Sequence, residues 1–141
     1  TWDDGVTLNQ VPHLSWSDAQ LVVARYDEDL RWLDALPQIP TLVYNRGDTH
    51  SAFLPSPRDN LHIIPQPNKG REDQVFLDHI VRNYGNLAQA TVFLQGWPFG
   101  HCPGFLKAVR RALTFVLYPE VAGPRTAGYV EGLAPVGSTF W

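Results

Sequence analysis

A chain of 141 residues, 44 % hydrophobic and 18 % charged with a net charge of −3, is long enough for one domain that buries roughly 68–70 % of its unfolded surface. Two lysines (Lys69, Lys107) and nine scattered arginines form no basic stripe, which argues against a nucleic-acid partner, and no run approaches the ~18 apolar residues of a membrane-spanning helix. Cys102 is the only cysteine, so the chain can form neither an internal disulfide nor a cysteine-rich zinc site.

Residues 1–20 have no clear period and read as an irregular arm in which Trp2, Val11, Leu14 and Trp16 lie on the domain. Leu21–Tyr26 (LVVARY) is short, apolar and β-branched, and predicts a buried strand. DEDLRWLDAL follows, with Leu30, Leu33 and Leu36 near helical spacing behind an acidic first turn, so a helix is expected there with Asp27 as its N-cap. Pro37 and Pro40 end it. Thr41–Asn45 (TLVYN) predicts a second buried strand running into Arg46 and Gly47, and 48–60 is a polar surface excursion. Leu61–Gln66 (LHIIPQ) predicts a third strand; Pro65 cannot donate to a ladder and marks a strand end or a sheet edge.

In GREDQVFLDHIVRNY the apolar residues Phe76, Leu77, Ile80, Val81 and Tyr84 fall at i, i+1, i+4, i+5 and i+8, so a helix with that stripe in the core is expected. After a Gly85-Asn86 turn, Thr91–Gln95 (TVFLQ) predicts a fourth buried strand, leading into the turn Gly96–His101. Phe105, Val109, Leu113 and Val116 space out a last helix, and 119–141 reads as irregular. Apolar strands alternating with amphipathic helices predict an α/β fold, a three-layer sandwich around a mostly parallel sheet, in one domain spanning 1–141.

Ligands of such sheets bind beyond the carboxyl ends of the strands. Those ends supply Arg25, Asp27 and Glu28, then Asn45, Arg46 and Gly47, then Asn68, Lys69, Gly70, Arg71 and Glu72, and finally Gln95, Gly96 and His101. Arg25, Asn45, Asn68, Arg71 and Gln95 are donors suited to an anionic or polyhydroxylated small molecule. Asp27, Glu28 and Glu72 are carboxylates able to take a proton or a divalent metal. Gly70 flanked by cations at a helix entry suits an anion, or serves to bend the chain. Asn45 and Gly47 also fit plain turn chemistry. His79 beside the apolar stripe reads as a partly buried, satisfied histidine, whereas His101 follows a strand in a glycine- and proline-rich turn that suits a catalytic or ligand role. Trp97 and Phe99 form an aromatic platform or close the core.

VVARYDEDLRWLDAL, VYNRG, NKGREDQVFLDHIVRNYGNL and TVFLQG together resemble, in order, the blocks of a fungal and bacterial family known as domain of unknown function three-four-three-one. That family commonly has lysine where Arg46 stands and tyrosine where Phe76 stands. Val136–Phe140 resembles the start of a later block that usually continues into another helix. More distantly, the block order resembles the nucleotide-sugar half of GT-A glycosyltransferases. That resemblance implies a donor pocket built from Arg25 and Asp27, Asn45, Asn68 with Gly70, and Gln95. It departs from the pattern at Gln95-Gly96-Trp97, which stands where those enzymes present metal-binding aspartates; a neutral amide does not balance a divalent ion as paired carboxylates do.

The leading expectation is therefore a glycosyltransferase-like enzyme for a nucleotide sugar or other carbohydrate, with Glu72, His101 and Asp27 as candidate catalytic groups. Arg25, Asn45, Asn68, Gly70, Arg71, Gln95 and Trp97 are the candidate substrate-binding residues. Two alternatives stay open: a metal-dependent hydrolase or lyase using His101, His79 and nearby acids, and a noncatalytic binding module using Trp97 and Phe99. The chain begins at Thr1 rather than methionine, which implies a processed or trimmed start and leaves the compartment, secreted, lumenal or cytoplasmic, open.

Overall fold

The computed structural model describes residues 15–48 and 51–118. They fall into two compact units, with described parts 15–97 and 98–118.

The first unit holds a four-stranded, all-parallel sheet: β1 (Ala19–Arg25), β2 (Thr41–Asn45), β3 (Leu61–Pro65) and β4 (Ala90–Gln95), in the order β3-β2-β1-β4. The α/β expectation therefore holds. β1 is apolar from Leu21 to Ala24 because both of its edges pair and both faces are covered there; these four residues have no exposed surface. It starts two residues earlier than its hydrophobic run suggests, because Ala19 and Gln20 pair with Ala90 and Thr91. β3 is an edge, as Pro65 foretold. β4 is the other edge, so only Ala90 and Leu94 are buried and the strand is less enclosed than its composition suggests.

Val22, Ala24, Leu42, Tyr44 and Phe93 share one face of the sheet by the period-2 alternation, and α1 (Glu72–Arg82) packs there through Val75 and Phe76. Of the expected core stripe, Phe76 packs on the sheet and Ile80 is partly buried, but the rest of it faces outward. Leu77, Val81 and Tyr84 are 62 %, 74 % and 81 % exposed, while Val75 and His79 are buried. A polar residue can sit in this core because Tyr44 supplies a partner: its hydroxyl lies 2.7 Å from His79 Nδ1. The ring is also edge-on to Phe93, with centroids 6.0 Å apart.

Burial pushes the His79 imidazole below its ordinary pKa. The folded state thus resists a proton that the unfolded chain accepts near pH 6.5. Stability should be complete above that pH and fall as pH drops below it, by at most ~1.4 kcal/mol per pH unit, until the folded imidazole itself titrates. Urea midpoints compared between about pH 7.5 and about pH 5.5 should show the loss, and His79→Gln should remove most of it.

The expected helix after β1 is instead a 3₁₀ turn, Arg31–Ala35, and its N-cap residue is Leu30 with no side-chain bond, so Asp27 does not cap it. Leu30, Trp32, Leu33, Leu36 and Ile39 are all fully buried. Each of the Leu33, Leu36 and Ile39 N–H groups donates to the residue three before it. The carbonyls of the same three residues accept from Arg58 at 3.2, 3.2 and 3.4 Å. Arg58 also donates to Asn60 Oδ1 at 2.7 Å and Thr41 Oγ1 at 3.2 Å, so one guanidinium ties the turn to the starts of β2 and β3. Lysine cannot span this fork. Arg58→Lys should cost about 2–3 kcal/mol in a denaturant titration, with no change in slope.

In the second unit, α2 (Phe105–Leu117) buries Phe105, Leu106, Ala108, Val109, Arg110 and Leu113. Val116, expected on that stripe, is 46 % exposed. Phe99 stacks edge-on against Phe105 at 6.0 Å, which supports its core role. Of the expected N-terminal arm, Trp2, Val11 and Leu14 lie outside the described residues, as does the segment 119–141; Trp16 is buried.

Candidate functional site

The carboxyl ends of β1, β2 and β4 lie side by side, since Ala24 pairs with both Tyr44 and Gln95, and Arg25 with Asn45. Arg25 closes the central strand and is completely buried. Its Nε donates to the Glu28 carbonyl at 3.0 Å, and its Nη1 to Asn45 Oδ1 at 3.0 Å and to the Asp48 carbonyl. One side chain thereby fixes both the loop after β1 and the loop after β2. The remaining nitrogen, Nη2, is buried with no acceptor among the described residues.

Asn45 completes the corner. Its Oδ1 also receives the Gly47 N–H at 3.3 Å and its Nδ2 donates to the Asp48 carbonyl at 3.0 Å, which is the side-chain turn expected of asparagine. Gly47 is required by proximity and not by its backbone angles: a Cβ there would lie 1.7 Å from the Tyr26 carbonyl oxygen. The Arg46 N–H donates to the Arg25 carbonyl at 2.9 Å, locking the two loops in register.

Glu28 turns back over the end of β1. Its Oε2 accepts the N–H groups of Tyr26 at 2.6 Å and Asp27 at 3.0 Å. The same carboxylate covers Gly96, where a Cβ would come within 2.8 Å of it, and the Gly96 carbonyl accepts the Trp32 indole N–H at 2.9 Å. The sequence suggests a proton- or metal-taking carboxylate at Glu28 and turn chemistry at Gly47; the approaches of Gly47 to Tyr26 and of Glu28 to Gly96 join residues far apart in the chain.

The charge of Arg25 has no carboxylate hydrogen-bonded to it. Asp29, the nearby acid whose carboxyl lies below its usual range, is held there first by the Arg31 side chain, which it meets at 2.7 Å, with a smaller contribution from the Arg25 charge. A buried guanidinium with neutral acceptors and an unmet donor is a positive centre suited to an anion.

The helix entry forms a second group. Gly70 has φ +72°, so the bending role expected of it is realised. Arg46 reaches across to the Gly70 carbonyl with Nη1 at 3.1 Å, and its buried Nε has no acceptor. Asn68, Lys69 and Arg71 are exposed, and Glu72 begins α1 partly buried. Gln95 is partly buried, while Asp27 and Trp97 are exposed. Arg25 is thus joined to Asn45 and Arg46 to Gly70, and among the described residues no side-chain hydrogen bond links Asn68, Arg71, Glu72 or Gln95 to either pair.

His101 lies in the second unit, exposed in the turn after the short 3₁₀ segment Pro98–Gly100. Burial pushes the neighbouring Cys102 thiol up, which keeps it protonated near neutrality and disfavours nucleophilic attack. His79 is committed to Tyr44. Among the described residues no three His, Cys, Asp or Glu side chains gather as metal ligands would. No helix among them is long and apolar enough to cross a membrane.

A family model described as "Protein of unknown function (DUF3431)" matches residues 21–103, the sheet together with the turn that follows β4. No curated protein and no solved structure matches the chain.

Proposed function

We infer, from the premise that this chain belongs to the DUF3431 family of proteins of unknown function, that it is a transferase-like enzyme for a small anionic, polyhydroxylated substrate of the nucleotide-sugar class. The substrate sits at the carboxyl ends of β1 and β2. The observation that carries this reading is the unmet Nη2 donor of the enclosed Arg25 at the end of the central strand. Parallel sheets place their ligands at that end, and a phosphate or sugar-acid oxygen supplies both the acceptor and the countercharge that Arg25 lacks.

In this reading Arg25 holds the anionic group, and Asn45 keeps the guanidinium oriented. Asn68 and Arg71, exposed beside the glycine-entered helix, meet phosphate or hydroxyl oxygens, and Gln95 and Trp97 line the end of β4. Glu72, at the start of α1, and Asp27, after β1, are the carboxylates available for acid/base work.

Calorimetric titration with a panel of nucleotide sugars, with and without manganese, tests the proposal. Saturable binding that is lost in Arg25→Lys, with the circular dichroism spectrum retained, is the expected result. Absence of binding across the panel by folded protein rejects the reading. Binding with no sugar transfer or hydrolysis identifies a binding module in place of an enzyme.

A further inference from the structure

Glu28 fills an anion pocket made by its own loop. Its Oε2 accepts the consecutive N–H groups of Tyr26 and Asp27 at 2.6 and 3.0 Å, and successive backbone donors converging on one oxygen suit any oxyanion. Both bonds lie at the surface and Glu28 is only partly buried, so a solute can reach them. Gly96 provides the room, since a Cβ there would lie 2.8 Å from the Glu28 carboxyl carbon and from Oε2. β1 and β4 run parallel with Ala24 beside Gln95, so Arg25 and Gly96, the next residue of each, project to the same side of the sheet. The Glu28 carboxylate therefore stands on the side that carries the enclosed Arg25. Yet it forms no ion pair with that guanidinium, whose Nη2 has no acceptor among the described residues.

We infer that this pocket takes a phosphoryl group, one oxygen of which replaces Glu28 Oε2 on the Tyr26 and Asp27 N–H groups while the glutamate side chain swings out. The inference rests on the proposed anionic substrate and places its phosphate. A phosphoryl group offers several acceptor oxygens, so one on the two N–H groups leaves others for Arg25. The tethered carboxylate meets the N–H pair but not Nη2. Two anions do not share so small a pocket, so the ligand has to expel the resident one. Glu28 is thus a built-in competitor: it holds the affinity for small free anions low and favours a ligand with further contacts at the strand ends.

Calorimetric titration with inorganic phosphate and with pyrophosphate, at constant ionic strength, compares the wild-type chain with Glu28→Ala and Glu28→Gln. Removing the competing charge should tighten binding of both anions at least about tenfold in Glu28→Ala. The gain should be smaller in Glu28→Gln, whose amide oxygen still reaches the two N–H groups. Glu28→Gln preserves the shape of the side chain and carries the test if Glu28→Ala loses its native circular dichroism spectrum. Folded variants that bind neither anion more tightly than the wild-type chain overturn the inference. If nucleotide sugars bind the wild-type chain and the Glu28 variants still gain nothing, the pocket alone is rejected. If the variants gain affinity for phosphate and no nucleotide sugar binds any form, the pocket stands and the substrate class is rejected.

Discussion

Replacing Arg25 with methionine should destabilise the protein by about 2–4 kcal/mol and abolish ligand binding at the strand ends. The side chain has no exposed surface and donates to two backbone carbonyls and to Asn45 Oδ1. Hydrogen bonds from a charged donor are worth about 1.5–3 kcal/mol each, and their loss leaves the Glu28 and Asp48 carbonyls and the Asn45 amide without that donor. The opposing effect is smaller: removing an enclosed charge with an unmet N–H relieves a desolvation cost. Arg25→Lys tests the planar fork apart from the charge. It keeps the charge but loses the planar fork that reaches both loops, so chemical denaturation should still show a loss of more than about 1 kcal/mol. If methionine at this position leaves the denaturation midpoint unchanged, Arg25 does not fasten the loops.

Gly47→Ala should be about as severe, for a steric reason. The added methyl carbon would sit 1.7 Å from the Tyr26 carbonyl oxygen, a backbone atom with no rotamer through which to escape. The loop after β2 must move outward by more than an ångström, which breaks the Arg46 N–H bond to the Arg25 carbonyl and the Arg25 bond to Asp48. Overpacking costs typically ~1–3 kcal/mol, and a collision with backbone belongs at the upper end of that range. Gly85→Ala is the matched control, because a Cβ at Gly85 meets nothing within 4 Å. Thermal melts should separate the two variants clearly. Equal melting temperatures would mean that the loops are not in contact as described.

Much of the fold was legible in the sequence because each strand announced itself by a short apolar run bounded by turn residues. Pro65 even identified an edge. Two elements misled, each for a tertiary reason. The whole apolar stripe of α1 was read as core, but the sheet takes Phe76 together with Val75 and His79 and leaves Leu77, Val81 and Tyr84 outside; the hydroxyl of Tyr44 makes the buried imidazole tolerable. The leucines after β1 suggested an α-helix, but Arg58, more than twenty residues downstream, takes the carbonyls of Leu33 and Leu36, and a 3₁₀ turn results.

The candidate site was legible as a set of strand ends and no further. Arg25, Asn45 and Gly70 could be placed by topology alone. That Arg25 is enclosed, that Glu28 folds back over Gly96, and that Gly47 faces a carbonyl are consequences of loop contacts across the sheet, which no local pattern encodes.

Two arginines serve opposite ends of the same sheet on different terms. Arg58 spends every nitrogen of its guanidinium on internal acceptors where β2 and β3 begin, whereas Arg25 leaves one unspent where β1 finishes. Among the described residues the first end is fully satisfied, while the second keeps a buried donor unmet. Substitutions in the loops after β1 and β2 therefore act on the surroundings of that donor, while Arg58 holds the starts of the strands in register.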